Sequence, residues 1–441
     1  MNSLAQIDEP LDLEEVGKII RVKGWAIKSD TETLGIYLDD ILLGTVDPFI
    51  DRTDVSKGFP GISKPTGFDQ VVSVPEVPDG RLHSLTIRSD DDHSSRTLSL
   101  RRVKYGDFDS LLRIAVIDMS RMCNFHCEMC PAHSSKANHR SGRLIADQSL
   151  INAVLPLLKN PRYRIRRIGA SAIWGEPLMN PMYFQNTEKI ASTCPEASVS
   201  LYTNGSFLTE SNITRLLDLE CTKSITVSFD AGTKENYERI RKGGRWETVI
   251  RNLSALIGER RRRGKKIPTI STNFVVMKDN FRELPVYVKR MADLGVDVIG
   301  AVNAHSLYSS DMDQGVFDMP WRTNDVAEER ERVLQEVRAI ELPPGVSLGF
   351  PSFVPTRKSA ECSFEGASRV LVDIDGDVYP CCVIQSLNYE GHPDARPMGN
   401  ILKENIESIL ASRQFTDFRL KMLQREAPTS ICSRCPFFYG M

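Results

Sequence analysis

The chain has 441 residues, 41% hydrophobic and 26% charged, with a formal net charge of -2 and a pI near 6.4. That length favours two or three domains that bury their own cores without disulfide staples, and the charge balance lacks the basic footprint of a nucleic-acid binder. Asp8, Glu9, Asp12, Glu14 and Glu15 stand where a signal peptide needs positive and then apolar residues, and no apolar run approaches the ~18 residues of a membrane span. The expectation is a cytoplasmic protein with no membrane span, in which clustered cysteines mean metal or catalysis more often than disulfides.

Residues 1–105 read as a β-rich, sandwich-like accessory domain. Val22–Ile27, Leu34–Leu38 and His83–Ile87 alternate or run apolar between turn residues such as Asp79-Gly80. After a linker at Lys104–Ser110 the rhythm changes. Arg113–Met119, Ile168–Ile173, Ser198–Thr203, Ser224–Phe229, Thr269–Val276 and Val296–Val302 are short apolar runs. Helical patterns separate them, among them Leu150–Leu158, Tyr183–Ser192 and Leu284–Leu294. This α/β alternation predicts a parallel sheet buried on both faces. Residues 111–345 are read as a partial (β/α)6 TIM barrel with its site at the strand C-termini. The run Arg260–Lys266 reads as a solvated helix end, where cations suit the dipole; the alternative is a contact for an anionic substrate or partner. A third region, 346–441, is cysteine-rich. It shows a hairpin at Val370–Tyr379 turning on Asp375-Gly376, then a helix from Ile401 to about Arg425.

Cys123, Cys127 and Cys130 follow the first barrel run directly. Iron–sulfur cubanes are normally held by four thiolates, so three leave one iron open to a chelating molecule, as open metal sites do. A zinc site would want a fourth ligand, for which His126 or His133 could serve.

The C-x3-C-x2-C loop resembles that of the radical S-adenosylmethionine (SAM) superfamily. The resemblance implies that Cys123, Cys127 and Cys130 hold a [4Fe–4S] cluster. It also implies that SAM chelates the open iron and is cleaved to a 5′-deoxyadenosyl radical, which abstracts a substrate hydrogen. Trp174-Gly175-Glu176-Pro177 resembles the family's GGEP motif, with Trp174 in place of the first glycine. Gly175, Glu176 and Pro177 are thereby implied at the SAM amino group. Thr203-Asn204-Gly205 and Ser228-Phe229-Asp230 also resemble family segments. By the same likeness Asn204 belongs to the cofactor site, Ser228 and Asn273 lie near the ribose, Arg241 near the carboxylate and Met129 against adenine. The usual electron donor of such enzymes is a flavodoxin or ferredoxin.

Cys362, Cys381, Cys432 and Cys435 make a second, four-thiolate set. It resembles the single-cluster "twitch" form of the SPASM extension and implies an auxiliary [4Fe–4S] cluster. A four-cysteine zinc ribbon is the alternative. Cys382 neighbours Cys381, but the Gly376-to-Cys381 spacing favours Cys381. In relatives such a cluster accepts an electron from a substrate radical. The reading is therefore oxidation or epimerisation of a carbohydrate or cyclitol-like small molecule. The base candidates are His305 and Asp230, and Asn303 and Tyr308 could bind substrate. Cys194 or Cys221 could return a hydrogen atom if either faced the cavity. The alternatives are radical modification of a peptide or protein, and a non-enzymatic iron–sulfur redox scaffold. The N-terminal Gly24-Trp25-Ala26, Arg52–Val55 and Pro78–His83 segments loosely resemble β-rich accessory domains found beside glycosyltransferases. Two cubanes give a testable count of about eight irons per chain. Iron analysis with electron paramagnetic resonance on reconstituted protein checks it, and one cubane plus zinc would contradict it.

Overall fold

The computed structural model describes residues 4–27, 33–46, 50–51, 55, 66–75, 79–91, 94–105, 112–130, 132, 143–163, 165–171, 174–304, 327–350, 362, 366–424 and 426–439. The N-terminal segment forms two sheets. One orders Leu4–Glu9, Ile19–Ile27, Thr66–Ser73 and Ile50–Asp51; the other orders Glu15–Val16, Ser94–Tyr105, Leu82–Asp91, Thr33–Leu38 and Ile41–Thr45. Alternating apolar residues such as Val22, Ile36, Phe68, Leu85 and Val103 seal the space between them. Gly24 is required there: a Cβ would sit 2.0 Å from the Gln6 carbonyl oxygen of the neighbouring strand.

All six expected parallel strands are present: Ile114–Asp118, Arg167–Ser171, Ser198–Thr203, Thr222–Ser228, Thr269–Val276 and Val298–Asn303. They are neighbours in that order within a ten-stranded sheet. Helices between them follow their apolar periods and local caps. Asp147 caps Gln148–Lys159, Thr209 caps Glu210–Asp218, and Gly295 at φ 81° ends Leu284–Leu294.

The sheet departs from the expectation of two buried faces. Burial alternates strictly along Thr269–Val276 and Val298–Asn303. Ile117, Ile168, Leu201, Val227, Phe274 and Ile299 are fully buried in the main core with the helices. Their sequence neighbours Val116, Gly169, Tyr202, Ser228, Asn273 and Gly300 line a cavity. The strands are thus helix-packed on one side and open to a cavity on the other.

The sheet also runs past the expected domain edges. Ser347–Gly349 adds a parallel strand beside Val298–Asn303, so the boundary at 345/346 cuts inside the sheet. At the other edge Arg369–Val372 pairs in parallel with Ile114–Ile117 and turns antiparallel into Asp377–Tyr379. The C-terminal region is thus an extension of the same sheet. Its single expected helix is two, Ile406–Ala411 and Arg413–Leu423, broken where the Ser412 hydroxyl caps the second. The accessory domain docks on this region through Ile19 and Val71, which pack on the cluster containing Leu371 and Tyr379. The basic run does end a helix, Trp246–Arg262. Arg260 is nevertheless buried, donating to the Pro268 carbonyl at 2.8 Å and to Asp297 at 2.9 Å.

In the accessory domain the His83 ring lies 2.9 Å from Asp79 and 2.7 Å from Asp39. The bond to Asp79 does most to raise the His83 pKa above the usual 6.5, with Asp39 adding to it and burial opposing. A raised histidine pKa stabilises the fold below 6.5, and that contribution is lost as pH rises through the folded value. Nuclear magnetic resonance titration of the His83 ring is expected to give a midpoint above 6.5, and Asp79→Asn should lower it. A midpoint at or below 6.5 would contradict this.

Candidate active site

The three N-terminal cysteines sit on the loop after Ile114–Asp118 and line one end of a cavity of about 700 Å³. The loop is tied down by pairing of His126–Cys127 with Arg241–Lys242, in the register Cys127↔Arg241. Gly243 and Gly244 permit the approach, since a Cβ on either would come within 2.9 Å of Asn124 O or of Arg241 O and the Phe125 ring. Donors reach two of the sulfurs. Phe125 N and Asn204 Nδ2 lie 3.4 and 3.9 Å from Cys123 Sγ, and Arg241 Nη1 lies 3.8 Å from Cys127 Sγ. Burial raises the thiol pKa to about 11 for Cys127 and about 12 for Cys130. Ligation to iron therefore means losing those protons.

Arg241 is itself buried and pairs with Asp230 at 2.5 Å. Asp230 holds a left-handed φ of 64°. Its carboxylate accepts from Val275 N at 2.7 Å, and its carbonyl accepts from Asn280 at 3.0 Å. Burial pushes the Asp230 carboxyl up and Arg241 opposes it; burial pulls Arg241 down, and Asp230 together with Cys127 and Tyr237 outweighs it. This corrects the expectation of Asp230 as a base. It is fully buried behind Arg241, is not among the residues lining the cavity, and acts on the site through the guanidinium.

Glu176 is buried and also lines the cavity. It accepts from Asn204 N at 2.7 Å, Thr203 Oγ1 at 2.8 Å and Leu178 N at 3.2 Å. Burial raises its pKa to about 7 against those donors. Gly175 has no room for a side chain, because a Cβ would lie 2.4 Å from the Ser120 carbonyl oxygen. Pro177 opens the 3₁₀ turn that Glu176 caps and is not on the cavity wall. Asn204, Ser228, Asn273, Asn303 and Met129 all line the cavity. Met129 packs with Ile240, Met277 and Ala304. His133, His305 and Tyr308 lie outside the described residues.

Cys362, Cys432 and Cys435 are buried in one C-terminal core, against which Cys381 packs. Burial raises the Cys381 thiol well above its usual value, and the charges of Cys432 and Cys435 add to this. Cys362 and Cys432 act likewise on Cys435. Cys382 is buried in the same core, and it also lines the cavity with Phe437. Cys194 and Cys221 lie before the strands at 198 and 222, away from the cavity. Hydrogen return by either is not supported. Among the described residues, no three His, Cys, Asp or Glu side chains converge on a site for a single metal ion.

A family model described as "Radical SAM superfamily" matches residues 117–291. A second, SPASM, described as "Iron-sulfur cluster-binding domain", matches residues 362–436. The chain carries a radical SAM domain followed by a SPASM domain. Its cofactors are SAM and [4Fe–4S] clusters. Among curated proteins, it is 21% identical over 318 residues to the tungsten-containing aldehyde ferredoxin oxidoreductase cofactor-modifying protein of Pyrococcus furiosus, covering 70% of this chain and 83% of that one. The GTP 3′,8-cyclase of Microcystis aeruginosa is 27% identical over 148 residues, covering 33% and 42%. Among solved structures, Streptococcus suis SuiB bound to the precursor peptide SuiA superimposes with a TM-score of 0.53 at 13% identity, covering 76% of this chain and 72% of that one. The anSMEcpe structure with bound AdoMet gives 0.52 at 17%, covering 74% and 87%. At these identities the likeness to the solved structures is one of fold.

This radical SAM site fits its cofactors by observation. A gap too small for any side chain faces Gly175, N–H donors surround two sulfurs, and Arg241 Nε is buried with no hydrogen-bond partner among the described residues. Removing one member of a buried ion pair leaves an uncompensated charge and costs about 3–5 kcal/mol. Asp230→Asn is expected to lose that much in denaturant unfolding. The double variant with Arg241→Met should lose less than the sum of the two single losses; additive losses would mean that the pair does not couple.

Proposed function

We propose that this enzyme oxidises or epimerises a carbohydrate or cyclitol-like small molecule. The carrying observation is the wall of the cavity that Cys123, Cys127 and Cys130 also line. Ser171, Ser200, Tyr202, Thr226, Ser271 and Asn303 present hydroxyl and amide groups there, and the volume of about 700 Å³ is in the range of small-molecule sites. When bound, the cofactors supply hydrogen-atom abstraction through the 5′-deoxyadenosyl radical and an acceptor for the electron that follows.

The protein's share is holding and shielding. Cys123, Cys127 and Cys130 hold the first cluster in a loop fixed by Arg241. Gly175, Glu176 and Asn204 receive the amino group of SAM, Arg241 its carboxylate, Ser228 and Asn273 its ribose, and Met129 its adenine. The pKa of Glu176, raised to about 7, drops when an ammonium group sits against it. Cys362, Cys381, Cys432 and Cys435 hold the auxiliary cluster in the core whose Cys382 also lines the cavity. The α/β sheet, helix-packed on one side only, is read as a partial barrel. His305 remains the proposed base, and a flavodoxin or ferredoxin the proposed electron donor.

The second reading is peptide modification. Its support is the fold shared with SuiB bound to the precursor peptide SuiA and with anSMEcpe bound to the Cp18Cys peptide. Against it, the accessory domain is two β-sheets, unlike the winged helices that often bind leader peptides. Anaerobic incubation with SAM, dithionite and sugars deuterated at the carbinol carbons is expected to place deuterium in 5′-deoxyadenosine. Transfer from a peptide and from no sugar would reverse the order of the two readings. Absence of 5′-deoxyadenosine under reductant would leave only the redox scaffold.

A further inference from the structure

The cavity end remote from Cys123 carries a feature that the cofactors do not use. Arg167 and Arg369 are each the first residue of a parallel strand, and both are in register with Ile114 of the strand between them. All three line the cavity. The facing follows from the alternation: Ile168 and Ala170 on one strand, and Val370 and Val372 on the other, are buried in the main core, so the residues between them face the opposite way. Arg166, one position earlier, does point outward and pairs with Glu196 at 2.7 Å.

Two inter-strand steps separate the arginine backbones, about 10 Å. Long side chains from that spacing can converge on one group. The four-residue climb from Ile114 to Asp118 puts them roughly 13 Å below the start of the cysteine loop. Both arginines also contact protein neighbours. Glu176 is the only acidic side chain among the described residues that line the cavity, and it stands at the cysteine end engaged by Thr203 and Asn204. Among the described lining residues, the far end thus carries two guanidinium groups and no carboxylate. Guanidinium forks match phosphate and carboxylate oxygens in plane.

We propose that Arg167 and Arg369 form an anion-recognising pair and that the substrate is a small molecule whose phosphate or carboxylate docks there. Its reacting carbon then extends along the hydroxyl-lined wall toward Cys123. This deepens the small-molecule reading above and rests on it only in placing substrate in this cavity.

The test is anaerobic calorimetric titration of the holoprotein, in phosphate-free buffer, with glucose, glucose 6-phosphate, glucuronate and inorganic phosphate. The phosphorylated sugar or glucuronate is expected to bind at least about tenfold tighter than glucose, with affinity that falls as salt rises. Arg167→Gln and Arg369→Gln should each weaken anion binding about tenfold, and Arg167→Lys should weaken it less. Thermal unfolding and iron content of each variant confirm a folded, loaded protein. Equal affinity for glucose and both charged sugars, no binding of any anion, or anion binding that survives both Gln substitutions overturns the pair. Arginine-dependent binding of inorganic phosphate with no sugar bound leaves the pair standing and counts against the carbohydrate reading. Neutral sugar bound as tightly as charged sugar does the reverse.

Discussion

A guanidinium buried beside a thiol is costly unless a carboxylate shares the space, and Asp230 supplies one to Arg241. The rest of the site is arranged around that ion pair. Strand pairing sets Arg241 opposite Cys127, and two glycines let the cysteine loop lie against it. Asp230 in turn accepts from the backbone of the strand Thr269–Val276, and Asn280 locks its carbonyl. The left-handed backbone at Asp230 is tolerable for an aspartate and is held by these bonds. One ion pair thereby connects three segments far apart in sequence: the cysteine loop, the end of the fourth parallel strand and the fifth strand.

A second constraint is the period of two along the strands. With helices on one face, every other residue is committed to apolar packing. The intervening residues are released for chemistry, and they differ in character along the strand. Near the C-terminal ends they are Ser228 and Asn204, on a cavity shared with the cysteines; near the N-terminal ends they include Arg167 and Arg369. In our proposal a cofactor at one end and a substrate group at the other share one sheet face, with no need for a separate pocket.

Strand positions and the cysteine loop were legible in sequence because apolar runs and fixed cysteine spacing are local signals. The one-sided sheet was legible in part: Ser224-Ile-Thr-Val-Ser228 and Ser198-Val-Ser-Leu-Tyr202 alternate, yet their apolar content reads as a doubly buried strand. Arg167 and Arg369 were missed because an arginine opening a strand looks like a solvated end; only the register with Ile114 shows what it faces. Asp230 was misread because its partner Arg241 is remote in the pattern, although the positive φ hides in an ordinary Phe-Asp-Ala sequence. The break at Ser412 carries a capping signal, a serine before a new apolar turn, that the long helical period masked.

Trp174 departs from the glycine that its motif resembles, and packing supplies the reason. Its indole sits edge-on to Tyr389, with ring centroids 4.8 Å apart, beside Ala132 and Cys130. Such a pair contributes about 0.5–1.5 kcal/mol beyond the area it buries. Tyr389 closes the helix Cys382–Tyr389, which begins just after Cys381. Its hydroxyl donates to Asp373 at 2.5 Å and accepts from Arg121 at 2.9 Å, and Arg121 pairs with Asp375 at 2.8 Å. Deeper in, Gln385 on the same helix donates to Asp118 at 2.7 Å. Burial raises Asp373 to about 7 with the Tyr389 bond opposing, so this contact depends on the tyrosine hydroxyl being present. A glycine at 174 would leave a void between the two cysteine-bearing regions, whereas the indole fills it. The same helix thus joins the SPASM region to the loop of the first cysteine set, and the relative placement of the two sets is fixed by side chains rather than by a linker.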